Sequence, residues 1–252
     1  RSFNGEQWKL RDHLERLYTG IKILRIPLKL TIDEMEAAVY ETIERNKPAF
    51  NEDDEHRILI DITRGLLSLY HGIDGVDNGP NVIIADFPLR WTIQGCSKLY
   101  ETGINLKIPS QRAIPSHLME PKIKNRSRLF YLMANIEVSM FKGENNWALM
   151  IDPDGFITEG TGSNFFMIKD NVIYTPEGRN ILRGISMQSV INDIAPQLNI
   201  KVVEKNIEPF DVYEADEAFV TSTPFCIVPA VTLNELKIGD GKPGPVTQSL
   251  LK

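Results

Sequence analysis

Two tight turns in the second half of the chain constrain its fold more than any other feature. Asp152-Pro153-Asp154-Gly155 separates the apolar run 147–151 from 156–158. Proline presets one φ and glycine accepts a positive one, so these runs fold back as a hairpin. Asp170-Asn171 separates 165–168 from 172–174 and predicts a second hairpin. Helical patterns surround these strands. Thr31 and Glu34 have capping-box spacing, and Ile32, Met35, Val39 and Ile43 then share one face until Asn46-Lys47-Pro48. A helix over 127–141 has Leu129, Leu132, Met133, Ile136 and Met140 as its apolar stripe, the pattern of a face turned to a core. Another starts near Gly184, carries Val190, Ile191, Ile194 and Leu198 inward, and ends around Asn199. β-Branched, apolar runs predict strands over 56–63, 81–87, 104–108, 201–203 and 218–221, with a glycine-rich loop over 72–80. The class is α+β. Pro109, Pro115 and Pro121 punctuate an aperiodic stretch. We therefore expect a small domain over 1–110, a connection over 111–118 and a large domain over 119–252.

Charge and composition remove several functions. Lys plus Arg is 28 and Asp plus Glu is 34, a formal net charge of −6, so bulk electrostatic binding of nucleic acid is not expected. No run approaches the roughly 20 apolar residues that span a bilayer. The 2 cysteines, Cys96 and Cys226, are far apart, which predicts no disulfide framework and a reducing, cytoplasmic setting. His13, His56, His71 and His117 have no zinc spacing, so no metal is expected. Dinucleotide, P-loop and nucleophile-elbow motifs are absent.

Three places carry chemistry. Lys122 and Lys124 alternate before an apolar helix, on one side of a chain read as extended. Glu159 closes a strand ahead of small residues and Asn164-Phe165-Phe166. Gly184 and Ser186 open a helix, whose free N–H groups suit a phosphate. Each alone has a plainer reading: solvated lysines, a charged edge strand, a serine near an N-cap. Together they match pyridoxal phosphate, which needs a lysine for its aldehyde, an acid for its pyridine nitrogen and a seat for its phosphate.

The stretch from Glu159 through Asn164-Phe165-Phe166 and Thr175-Pro176 to Leu182-Arg183-Gly184-Ile185-Ser186 resembles the signature of the class IV, or fold-type IV, pyridoxal phosphate aminotransferases, branched-chain enzymes among them. The likeness extends to 13–18, Thr63-Arg64-Gly65, Ile123-Lys124, 215–219 and Thr221-Ser222-Thr223. It implies that Lys124 is the Schiff-base lysine, 159 − 124 = 35 positions before Glu159, with Lys122 its solvated neighbour. Glu159 would pair with the pyridine nitrogen, and Leu182 would pack on a ring face. Arg16, Ile185, Ser186 and Thr223 would hold the phosphate. The implied activity is amino-group transfer between an amino acid, with branched-chain as best guess, or an amine and a 2-keto acid. The implied assembly is a homodimer with its site in a cleft between two domains. An aminodeoxychorismate-type lyase and a non-catalytic homologue are the alternatives. Some positions depart from the family. Leu129 stands where branched-chain enzymes have a tyrosine on the cofactor oxygen, and Tyr131 is the nearest phenol. Leu69 stands where D-amino acid transaminase has a carboxylate-binding arginine, while His71 matches a family histidine. Pro224 has no N–H to offer a substrate carboxylate, and Met187 replaces a basic residue. The chain begins at Arg1 rather than Met, so the family's first strands are expected to precede it.

Overall fold

The structure is a computed structural model and describes residues 1–66, 72–74 and 79–252. Leu69, His71 and residues 75–78 of the 72–80 loop therefore lie outside the described residues. The chain divides into two compact units, Arg1–Thr92 and Ile93–Lys252.

The first unit opens with a two-residue pair, β1 (Ser2–Phe3) and β2 (Glu6–Gln7), followed by helices α1 (Leu10–Ile23) and α2 (Ile32–Asn46). Helix α2 starts as the sequence predicts. Thr31 Oγ1 accepts the Glu34 N–H, and the Glu34 carboxylate accepts the Thr31 N–H. Helix α1 was not among the sequence-predicted elements. Its N-cap, Lys9, is left-handed and offers no side-chain cap, so only the Leu10, Leu14, Ile21 spacing marks it. Leu10 and Leu14 pack with Met35, Val39 and Ile43 against the antiparallel pair β3 (His56–Ile62) and β4 (Val82–Pro88).

After α3 (Arg90–Cys96) and α4 (Leu99–Thr102), β5 (Ile104–Lys107) joins the sheet of the second unit, parallel to strands on both sides. The proline-punctuated stretch also lies within this unit, where the Ala113 N–H donates to Ile151 O. Helix α5 (Leu129–Ser139) leads to β6 (Asn146–Ile151) and β7 (Ile157–Gly160). Next come β8 (Asn164–Lys169) and β9 (Val172–Pro176). Both predicted hairpins form. Gly155 has φ +93°, and Asp170 and Asn171 have φ +49° and +59°. The order β8-β11-β12-β5-β6-β7 is closed into a ring by a single pairing of β7 with β8, Glu159 opposite Asn164. Strands β10 (Lys201–Lys205), β11 (Glu217–Ser222), β12 (Cys226–Leu233) and β13 (Leu236–Lys237) complete the sheet.

Alternation sorts the sheet's side chains into two cores. Phe165, Met167 and Val220 pack with Ile104, Leu149 and Val228, while α8 (Pro209–Tyr213) adds Val212. Phe166, Ile168 and Phe219 face the other way, onto α6 (Ile185–Ser189) and α9 (Pro245–Leu250). After Ser189 the helix widens over Val190–Ile194 before α7 (Ala195–Gln197), because Pro196 has no N–H for the preceding turn. Val190 is buried and Ile191 and Ile194 pack on the core, but Leu198 is exposed, contrary to its predicted inward place.

The largest correction concerns α5. Its predicted apolar stripe is on the outside: Leu129 is 68% exposed, Met140 77%, and Leu132, Met133 and Ile136 about half. Ala134 and Val138 face the core instead, beside Ala148 and Met150. The helix is apolar nearly all round, so periodicity could not select its inner face.

Candidate active site

Glu159 is the centre of the described site. It sits on β7 at the ring's closing pair, and its side chain is buried. Oε1 accepts the Tyr131 O–H at 2.7 Å. Oε2 accepts the Leu182 N–H at 3.0 Å and the Asn164 Nδ2–H at 3.3 Å. Burial pushes its pKa up from 4.5 to about 7, against the opposing pull of the Tyr131 and Leu182 donors and of the nearby Lys124 and Arg128 charges. A buried carboxyl whose ionisation is this costly is stabilised as the carboxylate by a cation placed beside it.

Asn164 ties this carboxylate to the loop before α6. Its Nδ2 also donates to Leu182 O at 2.7 Å, so one side chain bridges strand and loop. That amide explains Gly184, where a Cβ would run into Asn164 Oδ1. A second clamp holds the loop further back. Buried Asp152 accepts the N–H groups of Asp154 and Phe156 and, at 3.0 Å, Asn180 Nδ2–H. Asn180 Oδ1 in turn accepts the Ser116 N–H. Sequence reasoning placed Asp152 in a turn, which is right. Its reach to Asn180 depends on tertiary placement, and no spacing in the chain signals it.

Of the sequence-predicted residues, Glu159 and Leu182 are in direct hydrogen-bond contact. Gly184 is the extended N-cap of α6, so Ile185 and Ser186 are its first two residues, both buried. Thr223 lies in the turn from β11 to β12. Two flanking hydroxyls, Thr221 Oγ1 opposite Asn164 and Ser189 Oγ in α6, are buried with no hydrogen-bond partner. They leave unspent hydrogen-bonding capacity on β11 and on α6. Arg16 is on α1 of the first unit, with Nη2 3.4 Å from His13 Nδ1.

Lys124 lies in the irregular segment before α5 and is exposed, close enough for its charge to favour ionised Glu159. The extended alternation expected for Lys122 and Lys124 is not formed, because residues 121 and 122 are in a turn. Lys122 is also not simply solvated. Its Nζ donates to Glu120 Oε1 at 2.9 Å and to Arg179 O at 3.3 Å. The role of Tyr131 was not foreseen either. Arg128 covers it, with the guanidinium carbon 5.0 Å from the ring centre and Nη2 donating to Thr161 O. Among the described residues, no group of three His, Cys, Asp or Glu could hold a metal ion.

The model of the family described as Amino-transferase class IV matches residues 1–233, so the chain belongs to the class IV aminotransferases. It is an aminotransferase that uses pyridoxal phosphate. A Methanocaldococcus jannaschii protein, provisionally named a branched-chain-amino-acid aminotransferase, is 33% identical over 99% of this chain and 82% of its own length. The crystal structure of the Escherichia coli branched-chain amino acid aminotransferase superposes with a TM-score of 0.81 at 28% identity, over 97% of this chain and 77% of that one. The branched-chain amino acid aminotransferase of Thermobaculum terrenum, solved in its PLP form, gives 0.81 at 26% identity, over 96% of this chain and 76% of that one.

Proposed function

We propose that this chain transfers the amino group of a branched-chain-like amino acid to a 2-keto acid. Buried Glu159, with Tyr131, Asn164 and Leu182 around it, is the observation that carries the assignment of roles. Pyridoxal phosphate, when bound, supplies an aldehyde for the amino group and a ring that accepts the electron pair left by the departing α-proton. Lys124 Nζ would bind the aldehyde and, once displaced by substrate, take up and return that proton. Glu159, as carboxylate, would keep the pyridine nitrogen protonated. Leu182 would present its side chain to the ring while its N–H holds Glu159. Backbone N–H groups of Ile185 and Ser186, with the hydroxyls of Ser186 and Thr223 and the guanidinium of Arg16, would bind the phosphate. The second unit, Ile93–Lys252, carries this lysine.

The same proposal includes a homodimer in the cytoplasm. The outward apolar face of α5, Leu129, Leu132, Met133, Ile136 and Met140, supports self-association. No helix among the described residues is long and apolar enough to cross a membrane.

The test is a donor panel on protein reconstituted with pyridoxal phosphate. Borohydride should bleach its visible band, and L-leucine with a 2-keto acid should turn over faster than D-alanine or an aryl-alkyl amine. Lys124→Ala should lose turnover while staying folded. A fully active Lys124→Ala protein, or a preference for D-alanine, refutes the corresponding part. Pyruvate released without a keto-acid acceptor would indicate a lyase.

A further inference from the structure

Resting on the assignment of Glu159 to the pyridine nitrogen, we propose that Tyr131 is a positioning residue whose hydroxyl orients the Glu159 carboxylate and governs when it ionises. The two carboxylate oxygens are held from different sides. Oε2 is held by Leu182 and Asn164, and Oε1 by Tyr131. Without the phenol, the side chain keeps its hold at one oxygen only and is free to rotate its plane about that end.

The phenol is itself fixed. It lies in the first turn of α5, its ring 4.1 Å from that of Phe130 and beneath the Arg128 guanidinium. Arg128 is tied across to Thr161 O, two residues beyond Glu159. Burial and the adjacent carboxylate push the Tyr131 pKa far up, so the hydroxyl remains a donor across the working pH range. Among the described residues, the charged and titratable groups that act on Glu159 are Lys124 and Arg128 from the segment before α5 and Tyr131 from α5 itself. Asn164 from β8 and the Leu182 N–H complete its surroundings with neutral donors.

Donor and lysine thus belong to one short stretch, Lys124 to Tyr131. A shift of that stretch moves both the amine that would hold the aldehyde and the hydrogen bond that tunes the acid across the ring. A tyrosine that only fills space would leave the titration of Glu159 alone, and this separates the two roles.

The experiment substitutes Tyr131→Phe and, separately, incorporates 3-fluorotyrosine, a stronger donor, at position 131. In cofactor-free protein, the Glu159 carboxyl stretch is followed against pH by infrared spectroscopy, with Glu159→Gln as the blank. Tyr131→Phe should raise the midpoint by about one to two pH units, the size of a lost hydrogen bond to a charged group. Fluorotyrosine should lower it. In protein loaded with pyridoxal phosphate, the acid limb of kcat should move in the same two directions, with KM for the donor changed less than about twofold. A midpoint and acid limb that stay put in both proteins overturn the proposal, as does movement of both in the same direction. If unsubstituted protein forms no borohydride-sensitive band, the cofactor assignment fails, while the infrared titration still reads the Tyr131 bond.

Discussion

Replacing Glu159 by Gln should stabilise the cofactor-free protein, and only over a definite pH range. The folded side chain holds its proton to about pH 7, whereas an unfolded glutamate releases it near 4.5. Each tenfold change in proton affinity is worth about 1.4 kcal/mol, so ionised Glu159 costs the folded state on the order of 3 kcal/mol. The sign follows from proton counts. Below about pH 4 both states are protonated, and the substitution is nearly neutral. Between 4.5 and 7 the unfolded chain binds fewer protons than the folded one, so stability falls as pH rises. Above 7 the whole cost is present. Glutamine has no such titration. Its oxygen can keep the Leu182 N–H while its amide donates to the Tyr131 oxygen, so the local bonds survive. Urea unfolding of both proteins at pH 4.5, 6 and 8 gives the comparison. The stability difference should grow from near zero to about 3 kcal/mol in favour of Gln. Parallel pH profiles, or an unsubstituted protein that is the more stable at pH 8, would refute the reasoning. Loaded with pyridoxal phosphate, the same variant should lose about a hundredfold or more in kcat.

Three further outcomes follow from geometry. Gly184→Ala places a methyl on Asn164 Oδ1, so it should cost about 1–3 kcal/mol and weaken pyridoxal phosphate binding in a fluorescence titration of the apoprotein. Ile136→Glu on the outer face of α5 should leave the circular dichroism spectrum unchanged and shift sedimentation from dimer to monomer; an unmoved dimer excludes this face as the interface. Thr31→Ala removes the cap of α2 and should lower stability by about 1 kcal/mol in denaturant unfolding, with kcat unaffected.

Local signals were legible where local chemistry decides the outcome. The Thr31 cap and both hairpins depend on one or two residues each, and the structure forms them as read. Strand β12 was missed although it lies between β11 and β5 in the sheet. Pro229 interrupts its apolar run and supplies no ladder donor, which disguises a strand that neighbours on both sides nonetheless hold. Strand β5 was recognised, but its partners follow more than 35 residues later, so nothing local told which unit it serves. At the site, Glu159 and the Leu182–Ser186 segment stood out because motif and resemblance coincide there. The Tyr131 contact depends on how the first turn of α5 meets β7. The resemblance pointed to position 129, where the side chain is instead exposed.

The ring of strands closes through one residue pair, and the acid at its centre belongs to that pair. The seam of the ring therefore carries the buried acid of the site. A molecule that docks against Glu159 should act as a clasp and lengthen the lifetime of the closed ring while it stays. Amide exchange along β7 and β8 would then report loading of the enzyme as faithfully as its colour does.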